Sequence, residues 1–242
     1  MIVTIDAGNT RTKWGVFDDT GHLVTKGAID NTQLDQFKPP ESWAGCRRAV
    51  ISNVAGAPVA EQLASLAGRL ALPLLTVKAS GAAIGVINTY SQPEQLGSDR
   101  WAALVSAWNR YREPCVVATA GTALTVDALS SRGEFLGGLI IPGWRMMQTS
   151  LLAGTAELAE LTGELKPFPK STGDAIYSGA WLALAGAVEQ VRQSLQDREG
   201  RAVRCILSGG DAKQLLAALP SPAEIADNLV LHGLWLIERE NA

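Results

Sequence analysis

The chain of 242 residues is 47% apolar and carries a formal charge of −3. That is enough to build one large core or two small ones, with no signature of disorder and no basic excess for nucleic acid. Cys46, Cys115 and Cys205 are odd in number and far apart, and His22 and His232 are the only histidines. A disulfide framework, a zinc spacing and a histidine metal cluster are thereby excluded. No apolar stretch is long enough to span a bilayer, and the start Met1 to Asp6 lacks the basic and apolar regions of a signal peptide. The expectation is a soluble, cytoplasmic protein with neither membrane nor nucleic acid as partner.

The chain opens strand-rich to about Gly27, and a polar loop follows at Pro39-Pro40-Glu41-Ser42. Arg48 to Val54 reads as a short buried strand, Ala60 to Leu72 as a helix and Leu74 to Lys78 as a strand. Gln92 to Arg100 is a turn region leading into a helix whose apolar side carries Trp101, Leu104, Val105 and Trp108. The second half opens near Pro114, continues through Leu136 to Gly143, and predicts helices over Trp144 to Leu161 and Asp174 to Asp197. Arg204 to Gly210 reads as a strand ending in a glycine pair, and a last helix covers Leu229 to Arg239. Strands alternating with helices imply an α/β sheet with parallel members.

One local pattern occurs twice. Ile5-Asp6-Ala7-Gly8-Asn9-Thr10-Arg11-Thr12-Lys13 leads to a turn at Asp19-Thr20-Gly21, and Ala118-Thr119-Ala120-Gly121-Thr122-Ala123-Leu124-Thr125-Val126-Asp127 leads to a turn at Arg132-Gly133. Each reads as strand, glycine turn, strand, turn, strand. The repeat predicts two similar α/β domains, 1–113 and 114–242, with a cleft between them. A glycine turn lets backbone N–H groups converge on a phosphate, and two such turns could grip a nucleoside triphosphate from both sides.

Each motif also has a plain structural reading. In the first loop, Thr10 and Thr12 can donate hydroxyl bonds, Lys13 can offset charge and Asp6 can hold Mg²⁺ through water; alternatively, Asp6 and Asn9 merely satisfy a hairpin turn. In the second, Thr122 would face phosphate and Asp127 would be a second carboxylate near the metal, or the motif is a plain glycine turn and a solvated Asp. Ser208-Gly209-Gly210-Asp211 suits an adenine or ribose lying on flat backbone, or a turn needing positive φ. In Leu96-Gly97-Ser98-Asp99-Arg100, Asp99 could accept a proton from a substrate hydroxyl and Arg100 could clamp a substrate carboxylate; Ser98 or Asp99 could equally cap a helix. Ser171-Thr172-Gly173-Asp174-Ala175-Ile176 reads as a helix start capped by Thr172, or as a hydroxyl meeting a polar substrate.

Taken in order, Asp-x-Gly-Asn-Thr, Gly-x-Asp-Arg, Gly-Thr-Ala-x-Thr-x-Asp, Gly-Gly-x-Ile-x-Pro-Gly and Ser-Thr-Gly-Asp-Ala-Ile resemble type III pantothenate kinase over essentially the whole chain. The resemblance implies two ribonuclease H-like, actin-like ATPase domains with an interdomain nucleotide cleft. It implies transfer of the ATP γ-phosphoryl to pantothenate, the first step of coenzyme A synthesis, by a homodimer. It further implies that Asp6, Ala7, Gly8, Asn9, Thr10, Arg11, Thr12 and Lys13 form the first ATP loop, with Asp6 near Mg²⁺ and Thr122 an ATP contact. Asp99 would be the proton acceptor. Tyr90, Gly97, Ser98, Asp99 and Arg100 would bind pantothenate, with Thr172 supplied at a subunit interface. A monovalent cation, K⁺ or NH₄⁺, is also implied; Thr119 stands where many members have Asp, and a neutral side chain would hold the cation more weakly. Two other functions fit the same residues: an accessory role in gene expression, against which the intact Asp99-Arg100 pair argues, and a kinase or ATPase with another acceptor.

Overall fold

In the computed structural model, which describes residues 1–154 and 162–240, the chain groups into two compact units, residues 1–112 with 228–242 and residues 113–227. The first unit contains β1 (Ile2–Ala7), β2 (Arg11–Phe17), β3 (Leu23–Asp30), β4 (Ala49–Asn53), α1 (Ala57–Arg69), β5 (Leu74–Thr76), a short hairpin of β6 (Ala82–Ala83) and β7 (Val86–Asn88), and α2 (Ser98–Tyr111). The second contains β8 (Cys115–Ala120), β9 (Ala123–Leu129), β10 (Glu134–Pro142), α3 (Trp144–Gly154), α4 (Thr172–Glu199), β11 (Arg204–Ser208), α5 (Ala212–Ala218) and β12 (Glu224–Ile225). The last helix, α6 (Leu229–Glu240), belongs to the first unit. Short 3₁₀ helices at Asn31–Gln36 and Glu41–Gly45 lie between β3 and β4, the second starting inside the loop expected at Pro39 to Ser42. The predicted helix over 144–161 is described as far as Gly154; its remainder, 155–161, lies outside the described residues.

The two sheets have the same strand order. In the first unit it is β3-β2-β1-β4-β5, and within the second it is β10-β9-β8-β11-β12. In each, the three leading strands are antiparallel, while the first strand of the unit runs parallel to the strand on its other side. The repeated hairpin seen in the sequence is therefore a repeat of whole topology.

Alternation along the strands decides which side each residue serves. Val3, Ile5 and Ala7 of β1 join Trp14, Val16, Ala49 and Ile51 in a core covered by Leu63 and Leu66 of α1 and by Leu34 and Trp43 of the 3₁₀ turns. Thr4 and Asp6 point to the opposite side, as do Lys13, the Cα partner of Asp6 on β2, and Ser52, its partner on β4. In the second unit Val116, Ala118, Ala120, Leu124, Val126, Cys205 and Leu207 pack against Trp181, Leu184 and Val188 of α4 and Leu215 of α5.

The second domain, expected to run to the C terminus, gives up its last helix to the first unit, and the reason is packing. Leu231 and Leu234 are buried, and the absent side chain of Gly233 lets α6 lie against the Ala102 carbonyl of α2. Glu238, fully buried, accepts from Arg47 Nη1 at 2.7 Å and Nη2 at 3.3 Å. A buried carboxylate is tolerable only when paired in this way. The helix starts also differ from expectation. Ser171, not Thr172, caps α4, its Oγ accepting from Asp174 N–H at 3.2 Å. Gly97 occupies the cap position of α2, so neither Ser98 nor Asp99 is the cap residue.

Candidate active site

The first glycine turn joins β1 to β2, and Gly8 N–H closes it by donating to Arg11 O at 3.2 Å. Gly8 does not have a positive φ, and a side chain added there would come no nearer than 3.4 Å to anything, the Arg11 carbonyl. Gly121 at the β8–β9 turn is alike: its N–H donates to Ala123 O at 3.1 Å, and an added Cβ would lie 4.0 Å from that same oxygen. The fold itself requires glycine at neither position. Gly143 is the contrast. Its N–H donates to Thr122 O at 3.0 Å, and a Cβ there would collide with the backbone carbonyls of Gly121 and Thr122.

Within the first turn Asn9, Thr10 and Arg11 are exposed, whereas Ala7 and Thr12 are buried. Ala7 contributes its side chain to the core, and its carbonyl accepts from Val54 N–H at 3.0 Å. The Thr12 hydroxyl, expected to donate to phosphate, donates instead to Asn31 Oδ1 at 2.8 Å. Burial and the bond together remove it from direct contact with a ligand, because its hydroxyl proton is already used. Asn31, which the sequence reading does not single out, also donates through Nδ2 to Gly8 O at 2.7 Å and Asn9 O at 3.2 Å.

Asp6, next to last in β1, is paired with Lys13 of β2. Loss of solvent pushes its carboxyl up to about 6; Lys13 opposes the rise and the charge of Asp99 adds to it. Asp6 therefore feels the charge of Asp99, 93 positions further along the chain. Asp99 lies in the first turn of α2, where Oδ1 accepts from Arg100 N–H at 2.8 Å. Its carboxylate fills the space a side chain on Gly97 would need. Ser98 Oγ is 2.8 Å from Ser52 Oγ on β4, which ties the start of α2 to the sheet face that carries Asp6. Arg100 is only 6% exposed, so its guanidinium is a buried group. Tyr90 is partly exposed, and its N–H donates to Asn88 Oδ1 at 3.1 Å. Asn88 in turn donates to Pro93 O at 3.0 Å and so shapes the loop that leads to Gly97.

In the second unit Thr122 is exposed at the turn, while Asp127 is buried in β9 and not a solvated residue. The Ser171 to Ile176 motif divides its labour. Ser171 caps the helix, and Asp174 accepts from Lys166 Nζ at 2.8 Å and Glu164 N–H at 2.9 Å, which holds its carboxyl down to about 2. Thr172 is exposed and has no hydrogen-bond partner among the described residues. It lines an open cavity of about 740 Å³ with Pro142, Met146, Ser150, Leu151 and Ile176. Among the described residues no three His, Cys, Asp or Glu side chains cluster to hold a metal, and no helix is long and apolar enough to cross a membrane.

The type III pantothenate kinase family model matches residues 2–194. A relative from Methylobacillus flagellatus described as type III pantothenate kinase is 43% identical, over 98% of this chain and 98% of its own. Another from Nitrosospira multiformis is 45% identical, over 100% of this chain and 92% of its own. Among solved structures, a conserved Campylobacter jejuni protein assigned to the Baf family of transcriptional activators aligns with a TM-score of 0.65 at 22% identity, covering 99% of this chain and 98% of that one. A Sinorhizobium meliloti protein assigned as a 2-dehydro-3-deoxygalactonokinase aligns with a TM-score of 0.57 at 15% identity, covering 99% and 98%. At such identities the structural likeness concerns fold alone, and the fold is of the expected α/β, actin-like ATPase class. The chain belongs to the type III pantothenate kinase family.

Proposed function

We propose, from that membership, that the protein transfers the γ-phosphoryl group of ATP to the primary hydroxyl of pantothenate, giving 4'-phosphopantothenate in the first step of coenzyme A synthesis. The observation that carries the reading is the pair of hairpin turns whose glycines, Gly8 and Gly121, are not required by the fold. A glycine that the fold does not need, at the turn between two strands, is what the close approach of a phosphate would require. Gly8, Asn9, Thr10, Arg11 and Lys13 take the phosphates of ATP together with Thr122, while Ala7 and Thr12 support the loop from behind.

Asp99 is the general base. A bond from Arg100 N–H orients its carboxylate, and its task is to take the proton of the acceptor hydroxyl as the oxygen attacks phosphorus. The loop of Tyr90, Gly97, Ser98 and Arg100 binds the acceptor, with the exposed hydroxyl of Thr172 supplied at a subunit interface. Asp6 suits Mg²⁺, which characteristically takes only one or two protein carboxylates and fills its remaining positions with water and phosphate oxygens. A desolvated carboxyl with a raised pKa gains most from such a cation. When bound with ATP, Mg²⁺ offsets phosphate charge. Thr119 supplies only a neutral hydroxyl toward K⁺ or NH₄⁺, and no step depends on that cation. The exposed Leu139, Ile140, Met146, Leu151 and Phe168 of the second unit are apolar surface that a homodimer would cover, and the protein acts in the cytoplasm.

ADP release from the purified protein with MgATP should require pantothenate. Glycerol, acetate and sugars should not replace it. ADP release that ignores pantothenate, or follows one of the other acceptors, would overturn the assignment.

A further inference from the structure

The first glycine turn is not held by its own residues alone. Both carbonyls at its tip accept from one side chain more than twenty positions away: Asn31 Nδ2 donates to Gly8 O at 2.7 Å and to Asn9 O at 3.2 Å. Asn31 N–H donates to Thr10 O at 3.1 Å. The buried Thr12 hydroxyl donates to Asn31 Oδ1 at 2.8 Å, which fixes the amide with its oxygen toward Thr12 and its NH₂ toward the turn. Asn31 opens a 3₁₀ turn whose cap residue is Asp30, so its side chain is not spent on capping its own helix.

The consequence follows from peptide geometry. All peptide bonds here are trans among the described residues, and in a trans peptide the C=O and the following N–H point in opposite directions. With Gly8 O and Asn9 O drawn toward Asn31, the N–H groups of Asn9 and Thr10 are turned away from it. Two consecutive N–H groups aimed to one side of a glycine turn form an anion cradle. In the second unit Gly143 N–H donates to Thr122 O, the main-chain counterpart of Asn31 N–H on Thr10 O. The first turn adds to its main-chain bond the replaceable side chain of Asn31.

We propose that Asn31, held by Thr12, is a positioning residue that sets the orientation of the Gly8–Asn9 and Asn9–Thr10 peptides for a triphosphate. The proposal rests on the ATP role given to this turn above and extends it to a residue outside Asp6 to Lys13. Replacing Asn31 by Ala removes the donors. Asn31→Asp keeps an acceptor for Thr12 while removing the donors and adding a charge that repels the turn's carbonyls. Thr12→Val leaves Asn31 in place but frees its amide to rotate.

The test compares the full-length wild-type protein with these three variants, varying ATP and pantothenate separately and titrating MgATP calorimetrically without acceptor. The expected result is an ATP KM and an ATP Kd raised on the order of tenfold or more, as for loss of one good hydrogen bond to a charged group. The pantothenate KM should stay within about twofold, a margin of under half a kcal/mol. The defect should be largest in Asn31→Asp. A purely structural role would lower the melting temperature and leave the ATP Kd of the folded variants unchanged, and that result overturns the proposal. If Asn31→Ala does not fold, Asn31→Asp and Thr12→Val carry the same measurement. If the wild type proves inactive toward pantothenate yet binds MgATP, the assignment of acceptor fails and the calorimetric comparison still decides the role of Asn31. If the wild type binds no MgATP, both fall.

Discussion

Gly8→Ala separates a glycine kept for a ligand from one kept for the fold. An added methyl would meet only the Arg11 carbonyl, at 3.4 Å, and the backbone does not occupy the left-handed region. On stability alone the substitution should be neutral or favourable, because Ala restricts the unfolded chain; the usual gain at a compatible position is ~0.4–1 kcal/mol. For a chain of this size that is a rise in melting temperature of roughly 1–4 °C. If the space beside Gly8 is where phosphate approaches, the same methyl displaces it and costs the equivalent of one charge-assisted hydrogen bond, about 1.5–3 kcal/mol. That corresponds to a roughly 10- to 100-fold rise in the KM for ATP. Gly143→Ala is the control with opposite signs. Its Cβ would strike two backbone carbonyls, so it should lower the melting temperature. Thermal melts and ATP-dependent ADP release measure both effects. A Gly8→Ala protein that melts no lower than the wild type and retains the wild-type KM for ATP would refute the reasoning, since nothing would then be left to explain the glycine.

Asp99→Asn should fold and bind MgATP normally while losing on the order of 10²–10⁴ in turnover, the usual cost of a positioned base; near-wild-type turnover would reject Asp99 in that role. Asp6→Asn should abolish most activity and yet stabilise the free protein. Because the folded carboxyl is raised to about 6 from 3.8, the native state holds its proton longer than the unfolded chain, and stability falls as pH rises from near 4 through about 6. At neutral pH the wild type bears up to ~3 kcal/mol of this penalty. The variant should therefore melt higher at pH 7.5 and no higher at pH 4, and equal melting at pH 7.5 would reject the burial argument. His232 should act in the opposite sense. Its ring is held below its ordinary value first by burial and then by the charge of Arg110; it stacks on Trp235 and lies within 3.0 Å of Ser106 Oγ through Nδ1. The unfolded chain takes up the proton first as pH falls below 6.5, so this part of the stability is present above that pH and lost below it. Denaturant melts of His232→Gln between pH 7.5 and 5.5 should show a weaker pH dependence than those of the wild type.

What the sequence revealed about the fold came from periodicity and local punctuation, both short-range. The glycine turn between alternating strands is visible at Gly8 and again at Gly121, and it led to two domains of like kind. The turn into α2 is visible at Gly97. What it hid was carried by polar side chains whose partners lie far along the chain. Nothing near Asn31 says that it will reach back to Gly8 and Asn9, or near Ser52 that it will meet Ser98. Hydroxyl pairs are ambiguous in sequence for a related reason. Thr10 and Thr12, like Ser171 and Thr172, are chemically near-equivalent. In the first pair strand alternation buries Thr12, and in the second, helix geometry gives the cap to Ser171. The return of α6 to the first unit was hidden because its cause is pairwise, joining Gly233 to Ala102 and Glu238 to Arg47. In this chain, then, a local motif locates the functional loop, whereas its shape is set by distant residues that no motif includes. Substitutions at Asn31 or Thr12 would leave the Asp-x-Gly-Asn-Thr letters intact while changing how the first loop presents its N–H groups.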